Sequence, residues 1–419
     1  MDVPDAILLM GDKQWHEIKS KLTGKFNKMM KGLFRQKGAQ LDINILASDE
    51  AQEFITTHAG ILDAGFQKVE MSDKMRERLT RSNYIFSGIK TFHELNEAFP
   101  SMLDENGNKK TFERFLNDVQ KINDTYNANY LHAEYNFVQA SATMAAKWEQ
   151  FREDGDQYYL QYRTAKDGKV RPEHAALDGV TLPPSDSFWD TYYPPNGWNC
   201  RCNVVQVRKQ KYTATEHSEA MNRGEEAMNG QKYNIFRFNS GKQGKTMPDY
   251  NPYTIKRCND CDVAKGKLKL GFVPDYQLCQ GCIMIRKCNE DRNRDNSAKA
   301  TKKSPEVKKL QGTTISNPDF NHEVLITGGS IREWTNQPHK EYAAKNSILK
   351  HIAKVFREAK YIGFIDNFKK KPGVKQSHLF ETNVLGELSW IIVREYEIGE
   401  FVLHSISDSD KIKTGIRKE

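Results

Sequence analysis

The chain has 419 residues, 38% of them hydrophobic, and a mean hydropathy of −0.75. That is polar but foldable, which excludes wholesale disorder, and the length suggests about three domains. The net charge of +8 is spread over 63 basic and 55 acidic residues, a solvated surface more than a nucleic-acid footprint. No run of about 20 apolar residues is present, which excludes a helical membrane span.

The opening Met1-Asp2-Val3-Pro4-Asp5 lacks the basic and apolar regions of a signal peptide, so synthesis in the cytoplasm is expected. Residues 1 to about 150 read as mostly helical. Trp15 to Leu22 and Met29 to Phe34 place apolar residues at helical spacing, and Met75 to Asn96 carries the stripe Ile85, Phe86, Ile89, Phe92 and Leu95. Asp104 to Asn108 is a turn. From Thr111 to Arg152 an almost unbroken pattern predicts a long helix or helical hairpin, with its aromatic residues assigned to core packing.

Tyr159 to Ala165 alternates like a strand and runs into Asp167-Gly168, a turn. Arg171 to Asp178 predicts a short helical turn stopped by Gly179, and Asn203 to Val207 is again strand-like. Between them lie Pro194-Pro195 and Cys200-Arg201-Cys202. Arg163, Asp167, Arg171, His174, Asp178, Cys200 and Cys202 form a dense polar set. Such density suits a buried ionic knot or a catalytic or phosphate-binding cleft. The knot is preferred, because no nucleophile–base pair stands at a recognisable spacing.

Arg163-Thr164, Asp167, Val170-Arg171, His174, Leu177-Asp178-Gly179, Pro194-Pro195 and Cys200-Arg201-Cys202 occur in an order that resembles the phage Mu F-like minor head proteins. The resemblance covers 127–207, and more weakly the helical region 1–126. It implies a few-copy protein of a phage or prophage procapsid, associated with portal and capsid proteins and at work in head morphogenesis. The expected location is therefore the virion head. The family often has a histidine before Cys-Arg-Cys; here Trp198 precedes Asn199, which argues against a metal site in that loop.

Residues 208–256 form a connecting segment, with a short helix over 216–230 and a loop over 239–251. The seven cysteines cluster, and in a chain made in the cytoplasm clustering favours metal over disulfides. Cys258-x-x-Cys261 and Cys279-x-x-Cys282 have the spacing of a four-thiolate structural zinc site within 257–290, with Lys265 to Leu270 as a strand between the knuckles. Cys288 lies outside the spacing. Residues 291–312, polar and basic, read as a linker.

In 313–419, Asn336 to Lys340 opens a helix predicted to run through Ala359. Strand-like runs follow at Tyr361–Ile365, Ser377–Asn383, Glu387–Tyr396 and Glu400–Ile406. The fold class is thus α+β and multidomain. Asn336 to Lys340, Lys345-Asn346, Ser377-His378 and His404-Ser405-Ile406 resemble phage-associated nucleases of the barnase, EndoU, colicin E5 and RelE-like kind. That resemblance implies metal-independent RNA cleavage and a small immunity-like partner. His339, His378 and Ser405, or His404 in its place, would act on the RNA, with Lys340 and Lys345 on phosphate. Read from the residues alone, the same histidines fit a non-catalytic binding module.

Overall fold

The computed structural model describes residues 12–248, 250–257, 279–367 and 371–417. It divides into two units, 1–289 and 290–419. The mixture of helices with mainly antiparallel sheets agrees with an α+β class.

The first unit begins with five helices, α1 (Asp12–Phe34), α2 (Asp49–Ala64), α3 (Asp73–Ala98), α4 (Phe112–Asp124) and α5 (Leu131–Asp154). Ser48, Ser72 and Thr111 start α2, α3 and α4, each side chain accepting a backbone N–H from the first turn. This is the capping that short hydroxyl side chains supply. On α1 the buried residues Leu22, Phe26, Met29, Met30 and Leu33 recur at helical spacing, and Phe26 meets Phe54 of α2 edge-on at 6.0 Å. Burying each such side chain contributes about 1.5–3 kcal/mol.

The long pattern from Thr111 is one helical run. A π-helical stretch, Thr125–Tyr130, joins α4 to α5 and turns Tyr126 and Asn127 into the core. Its looser winding frees the Tyr126 carbonyl, which accepts from Lys90 Nζ at 2.7 Å. Lys90 also donates to Glu134 at 2.6 Å and lies 3.1 Å from His58 Nε2. Lys90 and Glu134 are 1% and 3% exposed, so this ionic centre is buried within the helices.

After α5 come β1 (Tyr159–Arg163), α6 (Pro172–Ala175), β2 (Thr181–Leu182), α7 (Phe188–Thr191) and β3 (Asn203–Val207). The strands form an antiparallel sheet in the order β2-β1-β3. Then follow α8 (His217–Ala227), α9 (Ser240–Gln243) and α10 (Pro252–Arg257). The expected loop over 239–251 therefore contains a helical turn. Gly241 in that turn lies so close to α5 that a Cβ there would come within 2.2 Å of Trp148 Cβ.

Cys258, Cys261 and the expected strand Lys265–Leu270 lie outside the described residues. Helix α11 (Gln280–Lys303) comes next, so the first part of the expected linker 291–312 is helical. The reason is compositional: between Gly281 and Ser304 there is neither glycine nor proline, and Asp291 pairs with Arg294 one turn on.

The second unit contains α12 (Pro305–Lys308), β4 (Thr314–Asn317), β5 (Phe320–Leu325), α13 (Gly328–Asn336), α14 (Tyr342–Ile348) and α15 (Ile352–Glu358). It ends with β6 (Lys360–Asp366), β7 (Val374–Val384), β8 (Glu387–Tyr396) and β9 (Phe401–Ser407). The four expected strands are β6 to β9, in the expected places. Two earlier strands join them in a six-stranded sheet of order β4-β5-β9-β8-β7-β6, with β5 parallel to β9. The expected helix from Asn336 instead ends there, and a new one begins at Tyr342. Pro338 disfavours helical backbone in the residue before it. Trp334, Phe356, Phe380, Ile391 and Ile406 fill the core of this unit. Among the described residues, no helix is long and apolar enough to cross a membrane.

Candidate functional site

The polar block is built on β1. Its register with β3 runs from Tyr159↔Val207 to Arg163↔Asn203, which brings the two ends of the block side by side. Beyond β1, the Asp178 carboxylate accepts from Thr164 N at 2.8 Å and Thr164 Oγ1 at 3.1 Å. Gly179 follows at φ +81°, in the left-handed region that favours glycine, and its N–H donates to Tyr162 O at 2.9 Å. Arg163 Nε donates to Gln161, and Arg171 donates to the Trp198 carbonyl at 2.6 Å. At Gly197 a Cβ would lie 3.0 Å from the Arg171 guanidinium, so the backbone passes close over that side chain.

These contacts deliver three side chains to one point. His174 Nδ1, on α6, lies 3.6 Å from Cys200 Sγ and 3.7 Å from Cys202 Sγ, and all three residues are buried. Arg201, between the cysteines, faces outward and makes a two-pronged ion pair with Asp167 at 2.7 and 2.8 Å. The expected ionic knot is thus corrected: the charges lie on the partly exposed shell, and the buried centre is His–Cys–Cys. Alternation explains it, since neighbours in an extended segment point to opposite sides. The Cys202 thiol and the His174 imidazole hold Cys200 well below the usual thiol range, while pairing with Cys200 and burial push Cys202 up.

The sequence contained both halves of this centre, but His174 stands 26 residues before Cys200. Attention to the position just before Cys-Arg-Cys, where Trp198 and Asn199 stand, missed it. The signal was present in the predicted turn at 171–178 and the strand beginning at 203. Once both are docked on β1, the histidine faces the cysteines.

Comparison with known proteins places this block. Residues 105–205 match the family described as Phage Mu protein F like protein. This segment belongs to the Mu F-like family. The chain is also similar to the putative capsid assembly protein F of Escherichia phage Mu. The two are 32% identical over 177 residues, 41% of this chain and 38% of that protein. The Mu-like prophage FluMu F protein of Haemophilus influenzae is 33% identical over 135 residues, 30% of this chain and 29% of the relative. The chain therefore spans well under half the length of these relatives. Residues 293–403 match a second family, Large polyvalent protein-associated domain 3. No solved structure matches.

In the second unit the sequence-derived residues stay apart. His339 Nε2 meets Ser389 Oγ at 2.9 Å while its Nδ1 accepts from Glu341 N, and burial lowers its pKa. Lys340 pairs with Glu387 at 2.5 Å. Lys345 is buried, donates to the carbonyls of Trp334 and Gln337 at 2.6 and 2.7 Å, and is brought by burial to about 7. His378 sits between Glu395 and Tyr361, 3.0 Å from each.

Ser405 pairs with Ile392, whereas His378 pairs with Val393, so the two side chains occupy opposite faces of the sheet. His404 is unpaired in the ladder at a register shift, and burial takes it down to about 4. Among the expected zinc ligands, Cys279 and Cys282 are described, with their sulfurs 3.4 Å apart.

Proposed function

We propose that this chain acts in head morphogenesis of a tailed phage or prophage, as a minor protein of the assembling head beside portal and capsid proteins. The carrying observation is the Mu F-like segment, whose sheet, loops and buried centre form one continuous part of the first unit. The name of the similar phage Mu protein, a putative capsid assembly protein, supports the same role. Deleting the gene from its phage or prophage should leave particles defective or absent, and tagged chain should sediment with heads. Normal heads from the deletion, with the tagged chain left in the soluble fraction, would refute the proposal.

Zinc at Cys258, Cys261, Cys279 and Cys282 belongs to the same proposal. Two thiolates on one tetrahedral zinc, each at about 2.3 Å, stand about 3.8 Å apart. The sulfurs of Cys279 and Cys282 are 3.4 Å apart and need little adjustment. Four thiolates leave no open position, so this zinc would be structural.

A second reading is RNA cleavage by residues 313–419. It rests on the resemblance of these residues to the nucleases and on Lys345, which burial brings to about 7. The purified full chain should then cut RNA in the presence of EDTA, and His339→Ala should reduce the rate by about 10²–10⁴-fold. A folded chain that leaves several RNA types intact ends this reading and leaves the head role standing.

A further inference from the structure

The His174–Cys200–Cys202 centre has the dimensions of a metal site. A tetrahedral zinc holds sulfur at about 2.3 Å and imidazole nitrogen at about 2.0–2.1 Å, which sets the sulfur-to-nitrogen separation at about 3.6 Å. His174 Nδ1 stands 3.6 and 3.7 Å from the two sulfurs. The three ligand atoms all lie within 4.8 Å of one another, and no other group of three or more such residues is gathered this closely among the described residues.

The surroundings fit an ion as well as the spacing does. The ligands come from two segments that the Arg171–Trp198 hydrogen bond ties to each other, and the cysteine segment is tied to α5 by Asn136, which donates to Asn199 at 3.0 Å. The ligand atoms are therefore placed before any ion arrives, which lowers the ordering cost of binding. A cleft of about 20 Å³ adjoins the centre, lined in part by Lys169, Arg171 and Arg201. About 10–15 Å³ suffices for one water molecule. The cationic rim favours thiolate over thiol, and it favours an anion at the open side.

We propose that His174, Cys200 and Cys202 bind one zinc-class divalent ion, separate from the four-cysteine site. Its fourth position would be filled from the cleft by water, hydroxide or a small anion. Two thiolates and one imidazole select a borderline-soft metal over magnesium or calcium. On binding, Zn²⁺ gains two Zn–S bonds and one Zn–N bond, and any proton still held by the two sulfurs leaves to solvent. The ion joins the turn at 171–178 to the entrance of β3. With three protein ligands it keeps an exchangeable position, unlike a closed structural site.

The test uses the full chain with Cys258, Cys261, Cys279, Cys282 and Cys288 all replaced by Ser, which removes every other cysteine. After reconstitution with Zn²⁺ and gel filtration, this variant should retain about one zinc per chain. Adding Cys200→Ser and Cys202→Ser should reduce it to none. A folded five-serine variant without zinc overturns the proposal whatever becomes of the four-cysteine site. Should that variant not fold, zinc X-ray absorption on the unmodified chain decides. Imidazole scattering that disappears in His174→Ala supports the site, and a shell of sulfur alone overturns it.

Discussion

The block from Arg163 to Cys202 gathers its charges around one short loop pair and keeps them at the surface, whereas the helices before it bury an ion pair. Arg201 and Asp167 are 25% and 41% exposed. Lys90 and Glu134, on different helices, are 1% and 3% exposed. Burial of charge requires two partners that meet only after helices pack, and each partner then looks in sequence like an ordinary solvated residue.

The largest expected effect follows from breaking the buried pair. Lys90→Met leaves Glu134 charged and without its cation, and should lower stability by about 3–5 kcal/mol, read as a shifted urea midpoint. Replacing both, as Lys90→Met with Glu134→Leu, should recover most of that loss. A double variant no more stable than the single one would show that the pair does not act as a unit.

Next in size is a dependence on pH. Burial raises Glu94 to about 8 in the folded state, from the ordinary 4.5 that the unfolded chain keeps. Between those values the folded state holds a proton that the unfolded state releases, so stability falls as pH rises, by at most about 1.4 kcal/mol per pH unit. Glu94→Gln should flatten that slope in urea titrations between about pH 5 and about pH 8. The opposite sign holds for Glu134. Burial pushes its carboxyl up, but Lys90 and His58 outweigh that and hold it at about 2, so its stabilisation is lost as pH falls from 4.5 towards 2. A slope unchanged by Glu94→Gln would place the titrating group elsewhere.

The polar block should respond less. Asp178→Ala removes the acceptor of two Thr164 donors and should cost about 1.5–3 kcal/mol in thermal or urea melts. Asp167→Asn, at the exposed pair with Arg201, should leave the melting curve unchanged within error. An Asp167 effect as large as that of Lys90 would erase the contrast between the two regions.

Much of the architecture was readable because it obeys short periods. The helical rod from Thr111, the strands at 159–163 and 203–207, and the four strands after Tyr361 all follow from apolar spacing. What escaped was set by tertiary context. Strands β4 and β5 were not anticipated, and α11 was hidden by a composition that resembles a linker. The His–Cys–Cys centre escaped for a related reason: its members lie on separate turns, and only the β1–β3 register brings those turns together. The expected nuclease residues show the converse, motifs close in kind that the sheet separates onto two faces.

The sheet order of the second unit also carries a temporal consequence. Strand β9 lies between β5 and β8, so the hairpin of β4 and β5 is joined to the meander of β6 to β8 through the strand translated after all of them. Until residues 401–407 have left the ribosome, the two halves share no backbone ladder through the sheet. The parallel contact Leu325↔Val402 closes a long stretch of chain, the kind of non-local pairing that slows folding. This unit therefore cannot complete its sheet until β9 has been made, and a nascent chain stalled before β9 would leave β5 and β8 without the strand that joins them.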